Sequence, residues 1–133
     1  MKIAKIISTS FHPRSIRLKT LLCGSPPVYT LGSQNFTTKE NIKDLILFQI
    51  EKEKKCDPGK NVDLVFVNNN IGSEWGNKFI DSLNNLQLKH GKVFTIQNNS
   101  NLGWSYGAYN KGYQTLNEYY DYFIFVEDDM IIA

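Results

Sequence analysis

Four short runs of strand-forming residues punctuate this chain, and each one ends in a cluster of small polar or acidic side chains. They are IAKIISTSF at 3–11, VDLVFV at 62–67, VFTIQ at 93–97 and YFIFV at 122–126. The clusters that close them are Ser8-Thr9-Ser10, Asn68-Asn69-Asn70, Asn98 to Asn101, and Glu127-Asp128-Asp129. Between the runs the apolar spacing changes from strand-like to helical. Strand alternating with helix predicts an α/β fold: a Rossmann-like, mostly parallel sheet with right-handed crossovers and helices on both faces. In such sheets ligands bind at the carboxyl ends of the strands, where strand order reverses. All four polar clusters fall at such ends, so the pattern predicts one polar rim.

The first helix is the clearest. Thr37 and Glu40 form a capping box, Ile42, Leu45, Ile46 and Ile50 recur at helical spacing, and Asp57-Pro58-Gly59 ends the segment. Lys52, Lys54 and Lys55 suit the negative C-terminal end of the helix dipole. A second helix is predicted from about Ser73 to Lys89, with Trp75, Phe79, Leu83 and Leu86 as its buried stripe and Gly91 as its stop. A third is predicted from near Tyr106 to Tyr119, with Tyr109, Tyr113, Leu116 and Tyr120 on one face. Residues 12–37 hold three of the four prolines and read as a long loop or insertion, with a helical turn around Ser15 to Leu22.

The chain has 133 residues, enough for a single domain, and its 41% hydrophobic and 13% aromatic content fits a folded protein. The fifteen Lys and Arg are scattered and net charge is only +2, so no nucleic-acid partner is expected. Cys23 and Cys56 are far apart and form no zinc or redox motif. No apolar run approaches the roughly 18 residues of a membrane span. The opening MKIAKIISTSF lacks a small-residue cleavage pattern, so the expected location is cytoplasmic.

Adjacent carboxylates repel, and at a strand end they are partly desolvated. A divalent cation neutralises them, and oxygen ligands without His or Cys suit magnesium, manganese or calcium. Alternation along the strand sends Glu127 and Asp129 one way and Asp128 the other. Glu127 and Asp129 are therefore the candidate metal ligands, with Mn2+ or Mg2+ shared with a diphosphate. The competing reading is a solvated acidic turn. In NLGWSYGAYNKG, residues 101–112, Gly103, Gly107 and Gly112 mark a strand-to-helix transition suited to close approach of a ligand. Asn101 and Asn110 flank it with amides able to recognise hydroxyls.

That segment, followed by a helix and by DYFIFVEDD at 121–129, resembles the core of family 2-type glycosyltransferases with the A-type (GT-A) fold. Members carry N-x-G-(aromatic)-x-x-G-x-x-N-x-G and then an apolar strand ending in an Asp-any-Asp-like motif. The match is close over 101–129; IISTSF and FVNNN fit the family's first two strands more loosely. The resemblance implies a metal-dependent transfer of sugar from a nucleoside-diphosphate sugar to an acceptor hydroxyl. It assigns nucleotide contacts to Thr9, Ser10, Asn68 and Asn70, and sugar or diphosphate contacts to Asn101, Gly103 and Asn110. Asn68 stands where the family usually has Asp, and Tyr109 where many relatives have Arg. The metal falls to Glu127 and Asp129, with Asp128 near the ribose or donor sugar.

The family's general base lies well beyond the metal motif, in the half that binds acceptor. The expectation is therefore a truncated donor-binding part, with a further domain or partner chain completing the acceptor site. The catalytic residue is unknown, and His12 and His90 are not candidates. The acceptor is a glycan, lipid or protein. Two other readings stay open: a non-catalytic nucleotide-sugar binding module, and a sugar-phosphate nucleotidyltransferase, for which a basic Gly-rich loop after the first strand is missing.

Overall fold

Strand β1 (Ile3–Thr9) is buried along most of its length because sheet neighbours lie on both sides of it. The computed structural model describes residues 1–11, 17–20, 28–30, 39–71 and 73–131. It places β4 (Val62–Asn69) and β7 (Tyr122–Glu127) parallel to β1, with Ile3 level with both Val62 and Tyr122. Strand β6 (Gly91–Asn98) runs parallel beyond β4, and the two-residue β5 (Gln87–Leu88) closes that edge antiparallel. The sheet order is β5-β6-β4-β1-β7. The chain thus builds outward from β1 through β4 to β6, then returns to the opposite side of β1 for β7. That reversal puts the topological switch point between β1 and β7.

Side-chain alternation covers both faces. Helices α1 (Lys39–Lys55) and α2 (Glu74–Ser82) bring Ile42, Leu45, Ile46, Ile50, Ile80 and Leu83 onto the face formed by Ile7, Leu64, Phe66, Val93 and Val126. Helix α3 (Trp104–Leu116) lays Ala108 against Ala4, Ile6, Val65 and Val67 on the other face. Each fully buried Ile, Leu or Phe contributes roughly 1.5–3 kcal/mol relative to exposure, so these two layers supply most of the driving force. The parallel α/β sheet expected from the sequence is the sheet observed.

Several boundaries differ. Helix α2 begins as expected, with the Ser73 hydroxyl accepting from the Gly76 amide at 3.1 Å, but it ends at Ser82 instead of near Lys89. Asn84 and Asn85 divert it: Asn85 adopts φ 67°, and the Asn84 side chain accepts from the Thr95 amide at 3.1 Å. Short Asn side chains compete with helical hydrogen bonding in this way. Gly91 does not cap a helix. It opens β6 at φ 146°, where a Cβ would lie 2.1 Å from the Val62 carbonyl oxygen. Trp75, expected in the buried stripe, is partly exposed and meets Phe11 edge-on. Helix α3 starts at Trp104, two residues before the expected position, and ends at Leu116.

Within 12–37, the expected helical turn is not formed at 17–20. Those residues are strand β2 (Arg17–Thr20), antiparallel to β3 (Val28–Thr30) and parallel to β8 (Met130–Ile131). Backbone pairing with β3, from Arg17 opposite Thr30 to Lys19 opposite Val28, holds it as a strand. The rest of that turn, and Thr37 of the capping box, lie outside the described residues. β2 follows the carboxyl end of β1 and β8 follows that of β7, so the second sheet assembles on the switch-point side.

Candidate functional site at the carboxyl rim

Because side chains alternate along each strand, the polar rim divides into two networks, one on each face of the sheet. On the α1 and α2 face, the Thr9 hydroxyl donates to Asp128 Oδ2 at 2.6 Å across the switch point. The Asp128 amide donates to the Ser8 carbonyl at 3.1 Å, and Gln49 Nε2 of α1 donates to the Asp128 carbonyl. Thr9 and Asp128 are 1% and 0% exposed, so this carboxylate is a brace beneath the rim. It anchors the acidic turn, in which Glu127 is exposed and Asp129 partly buried.

Beside it, Asn68 Nδ2 donates to Asn77 Oδ1 at 2.7 Å and to Gln97 Oε1 at 2.9 Å. Gln97 in turn donates to Asp81 at 2.8 Å, and Asn77 donates to the Asn70 carbonyl at 3.0 Å. The chain of donors fixes the orientation of the Asn68 amide. Its Oδ1 is buried and accepts no hydrogen bond among the described residues. Buried acceptors without donors are uncommon and costly, on the order of 1–3 kcal/mol.

On the α3 face the hub is Asn69, which is 2% exposed. Its Nδ2 donates to Asn101 Oδ1 and to the Trp104 carbonyl, both at 3.0 Å, while its Oδ1 accepts from Asn98 Nδ2 at 2.7 Å. The Ser10 hydroxyl donates to the Asn69 carbonyl at 3.4 Å, which ties the first strand end to this network. These bonds hold an unusual start to α3. Gly103 has φ 76° and Trp104 φ 49°, and a Cβ on Gly107 would lie 2.1 Å from the Leu102 carbonyl oxygen. One residue later, the Ser105 hydroxyl donates to Glu127 Oε1 at 2.8 Å, joining the head of α3 to the acidic turn.

Electrostatics focus on Tyr109. Burial raises the pKa of its phenol far above the ordinary value, and the negative charges of Glu127, Asp128 and Asp129 raise it further. All three carboxylates thus act on one half-buried hydroxyl, whose ring packs against Phe125 at 5.2 Å. Asp128 is buried and Asp129 partly so, in keeping with the partly desolvated strand end expected from sequence, whereas Glu127 is exposed. The cause is position: β7 is the outer strand of its sheet, not an interior one. Among the described residues no three His, Cys, Asp or Glu side chains gather as a preformed cage. The donor set that is present, oxygen alone from one or two accessible carboxylates, fits a hard divalent ion that keeps other ligands.

The structure therefore brings Thr9, Ser10, Asn68, Asn70, Asn101, Gly103, Tyr109, Glu127, Asp128 and Asp129 to one end of the fold. It does not bring Asn110 there: Ala108 and Gly112 face the sheet, so Asn110 points away from it and is exposed. Sequence reasoning missed Asn69, whose position one step from Asn68 assigns it to the α3 face. It also missed Gln49, a polar residue inside the Ile42, Leu45, Ile46, Ile50 stripe, and that break in the stripe was the signal. A groove of about 770 Å³ lies elsewhere, at the amino ends of the strands among Lys2, Asp63, Lys92, Phe94, Leu116 and Tyr120. Comparison with models of known protein families, with curated proteins and with solved structures gave no match to this chain.

Proposed function

We propose that the chain binds a nucleoside-diphosphate sugar at its carboxyl rim and is the donor-binding part of a metal-dependent glycosyltransferase. The observation that supports this most is the convergence of the acidic turn, the hydroxyls of β1 and the glycine-marked start of α3 at the β1/β7 switch point. In this reading the diphosphate lies near the head of α3, whose positive dipole end favours an anion. Glu127 and Asp129 hold Mg2+ or Mn2+, while buried Asp128 keeps their turn in place through Thr9 and Gln49. The ion supplies charge stabilisation to the departing diphosphate. The bond between the anomeric carbon and the diphosphate oxygen breaks with its electron pair on oxygen, and an acceptor hydroxyl forms the new bond. A general base for that hydroxyl is not assigned to this chain.

Thermal unfolding with a panel of nucleotide sugars, with and without Mn2+, tests the reading. A ligand at about 100 times its Kd adds roughly 2.7 kcal/mol. Stabilisation by one nucleotide sugar that requires metal and disappears in Asp129→Ala is the expected result. Stabilisation by none of them, at saturating metal, removes the proposal. Turnover separates an enzyme from a non-catalytic binding module: release of sugar from the donor in the wild-type chain and none in Asp129→Ala marks the enzyme.

A further inference from the structure

The head of α3 carries three large side chains that the fold leaves in water: Leu102 is 86% exposed, Trp104 76% and Tyr106 82%. Burying such groups is the ordinary outcome of folding, so three together at one helix start mark a contact surface. Trp104 is not there by default. Its φ of 49° is unfavourable for a bulky residue, and the Asn69 amide holds its carbonyl from beneath at 3.0 Å. The buried amide hub thus fixes the backbone that presents the indole. Trp104 makes no ring contact among the described residues, whereas Tyr106 stands edge-on to Tyr109 at 6.2 Å.

The chemistry around the indole narrows the partner. From Gln97 to Asn110 the sequence contains four Asn, one Gln and two Ser, and no Asp, Glu, Lys, Arg or His. With no Lys or Arg in this stretch, it lacks the side chains that a polyanion, an acidic peptide or a lipid headgroup would recruit. Aromatic faces surrounded by amides and hydroxyls complement a ligand with an apolar C–H face and a hydroxyl perimeter, which describes a pyranose ring. The patch also adjoins the acidic turn, because Ser105 is the next residue and reaches Glu127 at 2.8 Å.

We propose that Trp104, flanked by Leu102 and Tyr106, is a stacking platform for a neutral saccharide. Taken together with the function proposed above, and resting on it for this step only, that saccharide is the acceptor. The two tryptophans give two indole N–H resonances in the 15N-labelled chain, and Trp104→Phe identifies which is Trp104. Cellotetraose and chitotetraose are the probes. A saturable shift of the Trp104 resonance with either one, the Trp75 resonance staying in place, is expected, and Trp104→Ala should abolish binding of that saccharide. If neither probe moves the Trp104 resonance, or if Trp104→Ala binds saccharide as the wild type does, the platform is overturned. Stabilisation by a nucleotide sugar without any Trp104 response sinks this inference alone. A Trp104 response without any nucleotide-sugar stabilisation supports the platform and sinks the donor-binding reading.

Discussion

Thr9 and Asp128 lie 119 residues apart in sequence and share a 2.6 Å hydrogen bond with essentially no solvent contact. One residue ends the strand that begins the sheet, and the other follows the last parallel strand. Their contact clamps the switch point, and Gln49 adds a third element by donating to the Asp128 backbone.

Replacing Thr9 with Val removes the donor but keeps the shape, leaving a buried carboxylate oxygen without its hydroxyl partner. The expected loss is about 1–3 kcal/mol, read as a lower denaturation midpoint with unchanged slope. Thr9→Ser restores the hydroxyl and should recover most of it. A Thr9→Val chain as stable as wild type would show that the hydroxyl is not the clamp.

Asn69→Ala removes three hydrogen bonds from a buried amide. Stability should fall by about 2–3 kcal/mol at the stated cost of unsatisfied buried groups. The loss should concentrate at the start of α3, so amide exchange at residues 104–108 should speed up more than exchange in β1. Uniform acceleration across the chain would count against the hub.

Gly107→Ala places a methyl group 2.1 Å from the Leu102 carbonyl oxygen, a backbone atom with little room to move. The ordinary helix-propensity gain of Ala over Gly, about 1 kcal/mol, should be reversed into a net loss of about 1–3 kcal/mol. Thermal unfolding followed by far-ultraviolet circular dichroism measures the sign directly, and stabilisation would contradict the packing described.

Tyr109 and Tyr120 are held protonated in the folded chain, Tyr109 mainly by burial and Tyr120 by burial together with its 2.7 Å bond to Asp63. Both phenols ordinarily ionise at 10.0. Above that pH the unfolded chain releases protons that the folded chain keeps, so stability is full below about pH 10 and falls as pH rises further. Absorbance titration should show a tyrosine signal that appears only as the chain unfolds and that shrinks in Tyr109→Phe and in Tyr120→Phe. Reversible ionisation of all seven tyrosines in the folded state would refute this.

The main sheet was legible because its information is periodic. IAKIIST, VDLVFV and YFIFV could be strands of one parallel sheet, and the helical stripe of α1 could face it. The rim followed from the same logic, since parallel strands place all their carboxyl ends together. What escaped was whatever depends on partners distant in sequence. RLKT is a strand through pairing with β3 and with β8, the latter more than a hundred residues later. Glu127 is exposed because β7 has no outer neighbour among the described residues, and no local pattern reports that. Asn69 and Asn68 look identical in sequence; only the helix that packs over each face gives them different work. The end of α2 was misread because Asn84 and Asn85 sit inside a convincing apolar stripe, and two short amides outweighed it.

The outer position of β7 also governs how the protein behaves in a test tube. Its far side offers unpaired backbone groups among the described residues, and Tyr122, Ile124 and Phe125 are all substantially exposed, with no lysine, proline or bulge along YFIFV to discourage pairing. Natural sheets guard such margins because they template the addition of foreign strands. A concentrated solution of this polypeptide should therefore self-associate through that margin, and a single lysine at Ile124 should keep it monodisperse.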